Sequence, residues 1–148
     1  MPVLELERTV PAPRERVYAV AKDIERFPEF MPSVSSVRIV EHGERQVSEW
    51  VGYIEEFKRQ LKWTEEDYWD DTAQRCRFRA IAGDWDRYEG TWEFLPAGEG
   101  TLMRLRVDYD FNVPLIGALI KGLLAKLVRK NSEEMMEGIA RQAAAASS

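Results

Sequence analysis

The sequence has few of the residues on which disulfides, metal sites and export depend. Its 148 residues include one cysteine, Cys76, and one histidine, His42. A single cysteine excludes an internal disulfide and is typical of a reducing compartment. Without a second histidine or a cysteine cluster, the chain cannot assemble a zinc site. The first residues carry Glu5 and Glu7 rather than the basic and then apolar pattern of a signal peptide. We therefore expect a cytoplasmic protein with no metal and no cofactor.

Long apolar runs and excess positive charge are also missing. No run reaches the roughly 18–20 apolar residues of a membrane span. The net charge is −5, which excludes DNA as a main partner because phosphate binding needs clustered cations. Only two asparagines and four glutamines stand against 15 arginines, a balance that predicts a thermostable protein. With 45% apolar residues, residues 1–148 are expected to form a single domain.

The apolar pattern predicts two short helices near the start, a series of strands, and one long helix at the end. An alternating strand covers Leu4–Val10, and the short helices cover Arg14–Lys22 and Ile24–Phe27. The later strands and the final helix are predicted at Val34–Val40, Gln46–Ile54, Phe57–Tyr68, Arg75–Ile81, Trp85–Leu95, Thr101–Phe111 and Pro114–Ala143.

The residue pattern of the last two strands predicts the register in which they pair. Centring their loop on residues 97–100 places opposite charges together on one face and apolar groups together on the other, as cross-strand pairing prefers. A sheet with one apolar face must be covered, and the final helix is the one element long enough to do so. We therefore predict an α+β helix-grip fold, in which a curved antiparallel sheet of six to seven strands wraps around the long C-terminal helix. The predicted pairs are Glu93–Arg104, Thr91–Arg106, Trp92–Leu105, Gly90–Val107 and Tyr88–Tyr109.

Four short stretches resemble one superfamily over nearly the whole chain. Glu7–Pro13 resembles its entry strand, and Phe27–Pro32 resembles its proline-punctuated aromatic segment. Gly90–Phe94, together with Asp108–Phe111 and the following Pro114–Leu115, resembles late strands of the coenzyme-Q-binding branch. The chain is accordingly similar to the START-like superfamily, which includes Bet v 1-like proteins and polyketide cyclases.

The resemblance implies a protein that holds a hydrophobic small molecule between the sheet and the long helix. Lipids, isoprenoid quinones and polyketides are ligands in this superfamily. A second hypothesis is a polyketide cyclase or aromatase, for which Arg59, Tyr88 and Tyr109 are the acid–base candidates. A third is a ribosome-associated toxin-like module, which the net charge of −5 disfavours.

The candidate ligand-binding residues share an inward-facing position on the predicted sheet, on the aromatic segment, or on the apolar stripe of the long helix. Strand parity also turns Arg59 inward, where it either reaches the cavity mouth or orients a polar ligand head, with Glu65 as its expected ion-pair partner. The full set is Phe27, Phe30, Trp50, Arg59, Trp63, Phe78, Tyr88, Trp92, Leu105, Tyr109, Leu119, Leu123 and Leu127.

The remaining reactive side chains have structural interpretations. His42 is predicted in an exposed turn, and Cys76 is predicted as a packed, inert thiol. The acidic stretches Glu65–Asp67 and Asp70–Asp71 are interpreted as solvated edges, because neighbours in a strand point to opposite faces. The cationic side of the final helix is either a solvated face or a surface for transient contact with anionic lipid headgroups; its members are Lys121, Lys126, Arg129 and Lys130.

Overall fold

A computed structural model describes residues 3–111 and 117–145, without the side chains of Phe57 and of residues 117–121. The elements follow the predicted order. They are β1 (Val3–Val10), α1 (Arg14–Lys22), a first 3₁₀ helix (Ile24–Glu29), β2 (Val34–Glu41), β3 (Gln46–Ile54), a second 3₁₀ helix (Glu55–Phe57), β4 (Arg59–Asp70), β5 (Arg75–Gly83), β6 (Arg87–Ala97), β7 (Gly100–Asp110) and α2 (Gly117–Ala145).

Across the described residues, seven strands form one antiparallel sheet in the order β1-β7-β6-β5-β4-β3-β2. The first strand thus pairs with the last, and each of the others pairs with its neighbour in the chain. This arrangement confirms the helix-grip α+β prediction. No described helix is long and apolar enough to cross a bilayer.

The hairpin of β6 and β7 has the predicted register. Glu93 faces Arg104 on one side of the sheet, and Trp92 faces Leu105 on the other. The three further predicted pairs are also present. Because a shift of one residue would turn the apolar groups into water, burial of one face is enough to fix this pairing.

Two predicted strands begin later than expected. The strand predicted from Phe57 starts at Arg59, because residues 55–57 form a 3₁₀ turn that ends at Lys58 in the left-handed conformation (φ 48°). The strand predicted from Trp85 starts at Arg87, which leaves Trp85 in the connecting loop. The predicted helix start at Pro114 lies outside the described residues.

Irregular pairing bends the sheet on the side of β2 to β5. Register shifts occur twice between β2 and β3, and once between β4 and β5 at Thr64 and Glu65. A bulge increases local twist and bends the strand that carries it. The shift at Glu65 therefore occurs where the concave face of the sheet has to curve around α2.

Helix α1 is fixed to the sheet by polar contacts at its ends. Arg14 donates to the carbonyl oxygens of Phe94 (2.7 Å) and Ala73 (2.6 Å), and the Tyr18 hydroxyl donates to Asp71 (2.6 Å). Hydrogen bonds that involve a charged group are stronger than neutral ones. They close one end of the concave face, so the space under the sheet remains at the other end.

Helix α2 has 29 residues and is roughly 43 Å long at 1.5 Å per residue. Its carboxyl-terminal half packs closely on the first 3₁₀ helix at Gly138, where a Cβ atom would lie 2.9 Å from Cδ2 of Phe30. The buried residues of α2 recur at helical spacing and form the stripe that faces the protein. They are Leu124, Leu127, Val128, Ser132, Met136, Gly138, Ile139, Ala140 and Ala143.

Candidate ligand-binding cavity

A cavity lies between the inner face of β3–β6 and helix α2. Its volume is about 90 Å³. That is room for several waters or one small molecule, and less than the roughly 300–1,000 Å³ of sites for drug-sized ligands.

The cavity wall is a chain of aromatic rings in mutual contact. Trp50 stacks on Trp63 with centroids 5.7 Å apart, and Trp63 lies 5.8 Å from Tyr88. Tyr88 in turn stacks on Trp85 at 4.8 Å and lies 5.5 Å from Phe78. Aromatic pairs at these distances attract one another beyond simple burial. The rings therefore support one another as a stiff wall and leave a narrow space beside it.

Among the candidates with described side chains, seven line this cavity. They come from the first 3₁₀ helix, from strands β3 to β6 and from α2, so the fold brings together residues from distant parts of the sequence. The seven are Phe27, Trp50, Trp63, Phe78, Tyr88, Trp92 and Leu127.

Three candidates lie elsewhere in the core. Leu105 and Tyr109 are buried on β7, where they pair with the cavity residues Trp92 and Tyr88 of β6. Neither Leu105 nor Tyr109 itself lines the cavity. Phe30 packs against Phe27 (5.9 Å between centroids) and against the backbone of Gly138. These three residues support the cavity from behind.

Two further candidates do not line the cavity, and the side chain of a third is not described. Arg59 is exposed and its guanidinium carbon lies 5.8 Å from the Phe111 ring, because the first residue of β4 is at the sheet end, where a cation can reach water. Its expected partner Glu65 lies instead in the cavity. Leu123 is 38% exposed, since the helical turn carries it away from the stripe that contains Leu124 and Leu127. The side chain of Leu119 lies outside the described residues.

The central polar feature of the cavity is a pair of buried carboxyl groups. Glu65 and Asp67 are 5% and 2% exposed and both line the cavity. Trp63 Nε1 donates to Glu65 Oε1 at 3.2 Å, and the Glu65 carboxyl is hydrogen-bonded to Asp67. Asp67 Oδ1 and the indole N–H of Trp69 have no partner at hydrogen-bond distance among the described residues, although Trp69 lies close enough to lower the pKa of Asp67. The prediction of a solvated edge for residues 65–67 is therefore wrong.

Burial controls the protonation of this pair. It raises the pKa of Glu65 well above the usual range, and the neighbouring Asp67 raises it further. Burial also raises the pKa of Asp67 to about 6. Above that pH the pair therefore keeps one proton on Glu65 and one negative charge on Asp67. Burial and the same two carboxyls raise the pKa of the Tyr88 hydroxyl, which stays neutral.

Glu66, between these two residues, has the opposite environment. Its carboxylate accepts hydrogen bonds from Arg45 (2.6 Å) and Arg79 (2.7 Å) on the convex face of the sheet. The hydrogen bond from Arg45 is the main reason that the pKa of Glu66 lies below its usual value. Three consecutive acids thus divide between one anion covered by two arginines on the convex face and a carboxyl pair in the cavity.

Of the other reactive side chains, the thiol is buried, whereas the histidine and the described cations of α2 are exposed. Cys76 is 1% exposed, and burial raises the pKa of its thiol, as expected for an inert cysteine. His42 is exposed in the β2–β3 turn. On α2, Lys126 and Arg129 are exposed, and Lys130 donates to Glu56 at 3.1 Å. The residues described here contain no cluster of His, Cys, Asp and Glu fit for a metal ion.

Comparison with known proteins agrees with this geometry. A family model described as polyketide cyclase / dehydrase and lipid transport matches residues 10–136. The chain belongs to this family. The family falls within the START-like superfamily that the sequence motifs indicated, which confirms that prediction; no finding singles out the coenzyme-Q-binding branch.

Individual relatives show how far the likeness extends. The crystal structure of TTHA0849 from Thermus thermophilus is 42% identical, with a TM-score of 0.93 over 99% of this chain and 100% of that one. The Zhui aromatase/cyclase of Streptomyces sp. R1128 is 20% identical, with a TM-score of 0.87 over 96% and 93%. The ribosome association toxin RatA of Escherichia coli K12 is 24% identical over 87% of this chain and 84% of the relative.

Proposed function

We propose that the protein, as a single domain, binds a small and mainly apolar molecule in the cavity under α2. The observation that carries this proposal is the aromatic-lined cavity itself, which reaches buried polar groups at Glu65 and Asp67. Apolar walls with a few fixed polar groups are typical of ligand sites. Membership of a family described as polyketide cyclase / dehydrase and lipid transport supports the same conclusion.

The size of the cavity narrows the choice among lipids, isoprenoid quinones and polyketides. About 90 Å³ favours one flat ring system or a short chain. A long polyisoprenoid tail would have to extend out of the cavity or displace α2 from the sheet. The quinone-binding branch and lipid transport are therefore weaker proposals than the binding of a compact ring.

A cavity-filling substitution tests the proposal directly. Val128 is 6% exposed and lines the cavity from α2, so V128W is expected to fill the space and abolish binding of toluene, followed by NMR chemical shifts. L123W makes a similar change on the exposed side of the same helix and is the matched control, which should bind as wild type does. Toluene binding that survives V128W, or none in the wild type, would refute the proposal.

A polyketide cyclase or aromatase is the second candidate, and the carboxyl pair favours it. A proton held on Glu65 beside an ionised Asp67 is suited to general acid–base work, and Tyr88 lines the same cavity. Arg59 and Tyr109 do not line the cavity, so Tyr88 is the one acid–base candidate from the sequence that does. The test is incubation with a linear poly-β-ketone substrate: cyclised products that disappear in the E65Q and D67N variants would support an enzyme, and an unchanged product spectrum would exclude one.

Ribosome binding has support only from similarity to ribosome association toxins that are about one quarter identical to this chain. The net charge of −5 opposes direct contact with RNA. Co-sedimentation with ribosomal subunits at low salt would be needed to revive this function, and we expect none.

A further inference from the structure

The acidic pair of the cavity has no cationic partner in the described part of the chain. None of the ion pairs found among these residues involves Glu65 or Asp67. A buried charge is unfavourable unless it is paired. This one lies at the wall of the proposed binding cavity, where a bound molecule can reach it.

We propose that the cavity selects ligands with a protonated amine or another cationic nitrogen, held by the Asp67 carboxylate between aromatic rings. The proposal rests on ligand binding in this cavity and adds the chemical class of the ligand. Asp67 is 2% exposed, lines the cavity, and has Oδ1 without a hydrogen-bond partner within residues 3–111 and 117–145. The indole N–H of Trp69 acts on Asp67 but is neutral, whereas an ammonium group would satisfy that oxygen with a stronger, charge-assisted hydrogen bond.

The neighbouring rings favour the same ligand. Phe78 lies opposite Asp67 in the β4–β5 register, and Tyr88 lies 5.5 Å from Phe78 and 5.8 Å from Trp63. Cations are attracted to aromatic faces, most strongly where water is excluded. A carboxylate in an aromatic cavity therefore provides two separate sources of preference for a cation.

The described polar groups around the pair introduce no competing cation. Cys76 on β5 and Tyr88 on β6 have raised pKa values and stay neutral near pH 7. From α2, the polar residues at the cavity are Asn131 and Ser132, which carry no charge. The same arrangement opposes ligands with a carboxylate head, such as fatty acids, because a second buried anion would lie beside Asp67.

Three probes of one shape separate this proposal from the proposed function. Benzylamine, benzyl alcohol and toluene are titrated into the full chain at pH 7.5 by NMR, and we expect benzylamine to bind about tenfold more tightly than the other two. Benzylamine affinity should fall as the pH is lowered to 5, because Asp67 takes up a proton while the amine stays charged.

Two variants and a control assign the effect. D67N should remove the preference for benzylamine and leave binding of toluene unchanged. E65Q should keep the preference, because the Gln amide still donates to an ionised Asp67. E66Q on the convex face should bind all three probes as tightly as wild type does. If the neutral probes bind at least as tightly as benzylamine, the preference for cations is refuted and the cavity remains a binding site. If no probe binds, both proposals fall.

Discussion

Replacing Asp67 by asparagine is expected to make the protein more stable at neutral pH. The carboxyl has an ordinary pKa of 3.8 and a pKa of about 6 in the folded protein. Each pKa unit corresponds to about 1.4 kcal/mol, so ionised Asp67 opposes folding by about 3 kcal/mol at pH 7.5. The new amide leaves a buried donor without a partner, at a cost of about 1 kcal/mol. D67N should therefore raise the free energy of unfolding by about 2 kcal/mol.

The sign of the pH dependence follows from the same shift. A carboxyl with a raised pKa binds its proton more tightly in the folded state, so the penalty is complete above pH 6 and disappears as the pH falls toward 3.8. Glu65 keeps its proton throughout this window, because its pKa lies higher still. The advantage of D67N over wild type should therefore shrink steadily between pH 7 and pH 4.

Urea unfolding followed by circular dichroism at pH 7.5, 6, 5 and 4 measures this difference. E66Q is the matched control with the opposite sign, because the paired Glu66 has a lowered pKa and its loss should destabilise the protein at neutral pH. A D67N variant that is less stable than wild type at pH 7.5, or an advantage that does not change with pH, would refute the electrostatic argument.

Three further outcomes test the packing. Cys76 should react with Ellman's reagent only after denaturation, and rapid labelling of the native protein would contradict its burial. G138A should destabilise the protein by about 1–3 kcal/mol, measured by urea unfolding, because its Cβ would lie 2.9 Å from Phe30; an unchanged midpoint would contradict this close packing. T101V should lower the free energy of unfolding by about 1 kcal/mol in the same assay, because the Thr101 hydroxyl donates to the buried carbonyl of Ala12 at 2.8 Å. Unchanged stability would show that this hydrogen bond contributes little.

The sequence predicted most of the fold because alternation and turn residues act locally. Burial of one sheet face made the pairs Trp92–Leu105 and Glu93–Arg104 the only consistent register. The late start of β4 at Arg59 was missed, since the left-handed Lys58 carries no signal of the kind that glycine provides. Parity placed Arg59 on the inner face, opposite Ile54, but could not show that its long side chain reaches water at the sheet end beside Phe111.

The sequence analysis predicted the aromatic side chains of the cavity but not its buried carboxyl pair. Strand parity brings Trp63, Glu65 and Asp67 to one face, but the run of acids from 65 to 67 resembled a solvated edge. Adjacent residues of a strand point to opposite faces, so neither Glu65 and Glu66 nor Glu66 and Asp67 were expected to pair. Glu65 and Asp67 are two residues apart and therefore share a face. Acids at inward positions of an otherwise aromatic strand were the available signal.

The pairing of β1 with β7 bears on how the chain is made. Glu7 and Arg104 form an ion pair across these strands from positions 97 residues apart. At a synthesis rate of about 5–20 residues per second, the first strand waits roughly 5–20 s for its partner to be translated. During that interval its Glu5 and Glu7 side chains discourage pairing with other nascent chains. The charges that form ion pairs at this edge of the folded sheet thus also oppose aggregation of the nascent chain.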